Sequence, residues 1–162
     1  MTAQEFINKW RRQRDSDGSD RVGIVINWDK IPLESTVIEY AGKDAWTKIS
    51  EYSPPWHLNG RMETFKNLIG SQGYLMEIEK EKTNERYKRY ESHGLEYPNF
   101  CVFANSDGTK GIVGDGNHRF IDCRYLMDQG KDLSRDIDRC TLDVICLTNL
   151  SEVIQDSVYP NY

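Results

Sequence analysis

The chain has 162 residues and a formal net charge of −5, long enough to bury a core in what is expected to be one domain, residues 1–162. The acidic balance argues against a broad basic face for nucleic acid, while leaving a local basic site open. Apolar runs such as Gly23 to Ile26 and Val144 to Leu147 fall far short of a membrane span, and the polar start is no secretory leader, so a cytoplasmic protein without membrane contact is expected.

Residues 2–14 place Phe6, Ile7 and Trp10 on one stripe of a helix. It ends on Arg11, Arg12 and Arg14, cations suited to a helix C-terminus, which either touch nucleic acid or are simply solvated. With the loop Asp15 to Asp20 this makes an N-terminal section, residues 1–20. The loop lacks the closing glutamate of a calcium loop, so no calcium is expected there. Val22 to Trp28 reads as a buried strand. It leads to Ile31-Pro32-Leu33-Glu34, where Glu34 is either a carboxylate presented at a sheet edge or an ordinary turn residue.

Residues 43–52 suit a short helix with Trp46 and Ile49 inward. In Ser53 to Gly60 two prolines forbid helix or central strand, leaving Trp56 and His57 either to line a ligand cleft or, for Trp56, to pack on the core edge. Helices are expected over 61–70 and 75–92, the second rich in Glu and Lys as a solvated face and closed by His93-Gly94. Phe100 to Ala104 reads as a strand, Asn105 to Gly108 as a hairpin turn and Lys110 to Val113 as the partner strand.

That hairpin runs into Gly114-Asp115-Gly116-Asn117-His118-Arg119, followed at once by a helical pattern from Phe120 to Met127. A strand, a glycine-containing turn and a helix start aim unpaired backbone N–H groups at one point, where an anion is favoured. Arg119 adds a donor suited to phosphate, and His118 and Asp115 add a titratable group and a partner for a metal or hydroxyl. The bland alternative is a tight turn in which His118 and Arg119 pair with nearby acids.

The helix is expected to end near Gln129-Gly130. A charged connector over 131–139 follows, then a strand from Thr141 to Leu147 and a helix over 150–158 capped by Asn149 or Ser151, the last two forming a section 141–162. Cys101, Cys123, Cys140 and Cys146 make no CxxC pair, and Cys123 reads as core; neither a zinc site nor a disulfide scaffold is expected. The order of elements gives an α+β fold, a small mixed sheet flanked by helices.

The run Ser92-His93-Gly94-Leu95, then Pro98 to Val102, Asp107-Gly108 and Ile112 to Arg119 resembles the ParB N-terminal/sulfiredoxin-like superfamily. The similarity covers about residues 90–147, with 21–40 less closely matched, and centres on the Asp115-Gly116-Asn117-His118-Arg119 signature. The resemblance implies a nucleotide-phosphate site. Gly116, Asn117, His118 and Arg119, together with Gly114, would bind the phosphates of ATP or CTP. Asp115 would hold Mg2+ or substrate, and the catalytic set would be Glu34, Asp115 and His118. Asn117 stands where sulfiredoxins carry their reactive cysteine, so sulfinic-acid repair is not expected. Partition proteins add a DNA-binding domain after the nucleotide domain, and with the short tail after the last strand chromosome partitioning is not expected either.

The expectation is therefore a Mg-dependent ATPase- or kinase-like enzyme with a small-molecule or protein acceptor. A non-catalytic nucleotide- or partner-binding regulatory module of a phage or mobile element is the first alternative, and a ParB-like nuclease the second.

Overall fold

The computed structural model describes residues 1–16, 25–54, 64–70, 85, 88 and 98–155. Helix α1 (Ala3–Ser16) leads to a two-residue strand β1 (Val25–Ile26), a 3-10 turn at Trp28–Lys30, strand β2 (Val37–Ala41), and helices α2 (Gly42–Ile49) and α3 (Phe65–Gly70). The hairpin β3 (Asn99–Ala104) and β4 (Gly111–Asp115) feeds α4 (Asn117–Asp128). After it come α5 (Ser134–Asp138), β5 (Thr141–Cys146), α6 (Leu150–Val153) and β6 (Ile154–Gln155).

Four strands form a mixed sheet in the order β2-β5-β3-β4, with β3 and β5 parallel and the outer pairings antiparallel. The runs Phe100 to Ala104 and Leu142 to Ile145 are buried because both faces of these central strands are covered. On one face Phe6, Ile7 and Trp10 of α1 pack against Cys101, Phe103, Ile112 and Ile145. On the other, Ala45 and Ile49 of α2, Phe65 of α3 and Phe120 and Ile121 of α4 cover Phe100, Val102, Val113, Leu142 and Val144. The α+β expectation of a small mixed sheet between helices describes this arrangement.

The sequence reading of α1, α2, β3, the Asn105 to Gly108 turn, β4 and α4 agrees with the structure, whereas other elements differ. The expected buried strand Val22 to Trp28 is reduced, within the described residues, to Val25 and Ile26, which pair with β6 outside the main sheet. Val25 is 43% exposed, and Asn27 extends the pairing by bonding through its backbone N–H to the Val153 carbonyl and through its side chain to that of Glu152. The edge of the main sheet is taken instead by β2, whose half-exposed Val-Ile-Glu-Tyr-Ala sequence lacks a buried-strand signature.

The helix expected over 150–158 stops at Val153 and becomes β6, because Ile154 pairs with Ile26. Asn149 precedes it without making a capping bond, since its Nδ2 donates to the Lys30 carbonyl at 2.9 Å. The connector contains α5, opened by Asp132, which accepts from the Ser134 backbone N–H and hydroxyl. Of the helix expected over 75–92 only Glu85 and Lys88 are described, both helical and exposed. All four cysteines are free thiols, three of them buried, Cys123 among them. No helix among the described residues is long and apolar enough to cross a membrane.

Candidate functional site

The passage from β4 into α4 is made in one residue. Gly116 has φ +100°, a left-handed conformation that side-chain-bearing residues rarely adopt, and α4 begins at the next position. Close packing reinforces that choice: a Cβ on Gly116 would lie 2.3 Å from the Phe100 ring and 2.8 Å from the Asn99 carbonyl oxygen. Gly114 is the extra residue of a bulge, since Cys101 pairs with Asp115 while Val102 pairs with Val113. A Cβ there would lie 2.4 Å from the Phe103 ring. Both glycines thus let the sheet and the helix start approach closely.

At the start of α4 the cap position is Gly116, which has no side chain to cap with, and the first turn contains no acid. The Phe120 N–H bonds the Gly116 carbonyl at 2.9 Å, closing the first turn. The N–H groups of Asn117, His118 and Arg119 precede any intrahelical acceptor, as at every helix start. Asn117 donates through Nδ2 to the Val113 carbonyl at 3.2 Å, which ties the helix start back to β4; its Oδ1 is buried and has no donor among the described residues. His118 is exposed on the same turn. Arg119 donates from Nη2 to Asp115 Oδ1 at 2.9 Å, with both side chains largely enclosed.

Beside this turn, the start of β3 meets the start of β5. Asn99 and Thr141 are register partners, and the Thr141 hydroxyl donates to Asn99 Oδ1 at 2.6 Å. The half-buried Asn99 therefore adjoins Gly116 through its carbonyl oxygen. Nothing in the sequence pattern singles out these two polar neighbours, because their proximity comes from strand register.

The structure brings Gly114, Asp115, Gly116, Asn117, His118 and Arg119 together, but it does not bring Glu34 to them. Across the sheet Asp115 lies in the row of Cys101, Asp143 and Glu39. Glu34 precedes Val37, which lies in the row of Ile145, Phe103 and Ile112, at the other end of the strands. The strands β2 and β4 are also three spacings of about 4.8 Å apart. Glu34 is exposed in a turn, and register alone separates it from Arg119. Trp56 and His57 lie outside the described residues.

Asp115 is 6% exposed and its Oδ1 pairs with the Arg119 guanidinium. Among the described residues no group of three His, Cys, Asp or Glu side chains is placed to hold a metal ion. In the basic end of α1, Arg11 faces Asp29 at 3.7 Å.

The thiols of Cys123, on α4, and of Cys140 are unsuited to nucleophilic work. Burial pushes the Cys140 thiol up to about 12 and raises that of Cys123 as well, so both stay protonated at neutral pH. What the turn offers chemically is a cluster of N–H donors, one guanidinium and one exposed imidazole at the positive end of a helix. Comparison of the chain with protein-family models, with curated proteins and with solved structures gives no match.

Proposed function

We propose that the turn from Asp115 to Arg119 binds the phosphate groups of a nucleotide, ATP or CTP, and that the protein is a nucleotide-dependent phosphoryl-transfer or nucleotide-hydrolysing enzyme. The observation that carries this reading is the start of α4 on the left-handed Gly116, with no acid in its first turn and Arg119 on that same turn. The N–H groups of Asn117, His118 and Arg119 hold phosphate oxygens, and the Arg119 guanidinium neutralises developing charge. Gly114 and Gly116 allow the backbone to approach. His118, exposed at the turn, hydrogen-bonds a phosphate oxygen or carries a proton. Mg2+ belongs to this reading as the partner of the nucleotide's phosphates, arriving with them. The acceptor is a small molecule, a protein side chain or water.

A second reading, a non-catalytic module that binds a nucleotide and regulates a partner, is favoured by one specific observation. Glu34 lies away from the turn and Asp115 is engaged with Arg119, so neither carboxylate stands ready as a base.

A thermal-shift panel of nucleotides with and without Mg2+, followed by product analysis, tests both readings. A nucleotide at a hundred times its dissociation constant stabilises the fold by about 2.7 kcal/mol. A shift with product supports the enzyme; a shift with unchanged nucleotide after hours supports the binding module. No shift from any nucleotide rejects both.

A further inference from the structure

Asp115 was expected to help the ligand, and its position suggests the opposite. Its Oδ1 accepts from Arg119 Nη2 at 2.9 Å, so the guanidinium meant for a phosphate is already held by a carboxylate. Asp115 also stands immediately before the Gly116 cap, at the positive end of α4. A helix start contributes about half a positive charge and Arg119 one more; the Asp115 carboxylate cancels all but about half a charge of that sum.

We propose that Asp115 is a resident competitor for the ligand's anionic group, an intramolecular contact that holds Arg119 and lowers anion affinity until a more highly charged group takes its place. This rests on the phosphate reading of the turn. It also narrows the ligand class. Exchanging the Asp115 carboxylate for a ligand carboxylate replaces one monoanion with another at the same guanidinium, so carboxylate ligands gain little. A phosphate ester or polyphosphate brings two or more charges and three oxygens to the same guanidinium, and the four N–H groups of Arg119 not used by Asp115 give it further donors. The turn is thus selective for phosphates over carboxylates, with Asp115 as the residue that sets the threshold.

Asp115→Asn separates this role from the alternatives, because the amide oxygen still accepts from Arg119 while the charge is gone. Calorimetric titration of ATP, CTP and inorganic phosphate into the wild-type protein and D115N is the experiment, at low and at high ionic strength. Removing the negative charge beside the bound phosphate should tighten binding roughly tenfold at low salt, and the gain should shrink at high salt. Unchanged affinity in D115N would make Asp115 merely structural and overturn the proposal. Weaker binding would make it a positioning residue for Arg119 or a cation ligand and overturn it equally. If neither protein binds any of the three probes, the phosphate reading itself fails, an outcome distinct from both. Should D115N lose its fold by circular dichroism, Asp115→Ser is scored by the same criteria.

Discussion

Arg119 and Asp115 pair at 2.9 Å, so removing one changes the surroundings of the other. Arg119→Ala leaves the Asp115 carboxylate enclosed without its guanidinium and should cost roughly 2–4 kcal/mol in urea denaturation. The same variant should lose nucleotide binding. Gly116→Ala should be worse for the fold than an ordinary surface change. It forces a side chain to φ +100° and drives a Cβ to 2.3 Å from the Phe100 ring, and these together should cost more than about 2 kcal/mol in a thermal melt. Gly114-Asp115-Gly116 was legible as a break between strand and helix. The reason for each glycine was not, because Phe103 and Phe100 reach the turn through a bulged register that no local pattern encodes.

Among the elements, those with one strong periodicity were readable and those built from short or half-exposed pairings were not. The Phe6, Ile7 and Trp10 stripe predicted α1, and all three are buried against the sheet. The polar half of that docking was hidden: Trp10 Nε1 donates to Asp143 Oδ2 at 2.9 Å, and Lys9 Nζ meets the same oxygen at 2.6 Å. An aspartate in the apolar run Leu142 to Cys146 gives no hint that a helix more than 130 residues earlier needs it. Trp10→Ala should therefore destabilise by about 3–5 kcal/mol, through lost burial and an acid deprived of one donor. A drop in urea midpoint without a change in slope would identify it as a stability effect. Helix α4 ends as its Gln129-Gly130 signal indicated: the Gly130 N–H bonds the Met127 carbonyl and the Lys131 N–H that of Leu126, with Gly130 at φ +82°.

For the whole molecule, sheet order governs both chemistry and stability. The order β2-β5-β3-β4 puts Glu34 and Asp115 at opposite edges and opposite ends, a separation invisible to a reading that takes motifs one at a time. The same packing buries thiols on elements distant in sequence and sets a pH dependence. Cys140 is raised from an ordinary 9.0 to about 12 by burial, and Cys123 is raised in the same sense. Above pH 9 the unfolded chain releases thiol protons that the folded chain keeps, so stability is full below pH 9 and falls as pH rises toward 12. Each such group contributes a slope of about 1.4 kcal/mol per pH unit in that window. Urea unfolding at pH 8, 9.5 and 10.5 should show the decline, and Cys140→Ala should make it shallower.

The central claim, that a nucleotide's phosphates sit on the start of α4, is tested most directly by a 15N-1H correlation spectrum recorded during titration with ATP and with CTP. The account predicts that one of them shifts the backbone amides of Gly116, Asn117, His118 and Arg119 before and beyond all others, with the Arg119 side-chain resonance moving alongside. Shifts confined to other residues, or no shift from either nucleotide at millimolar concentration, would contradict it.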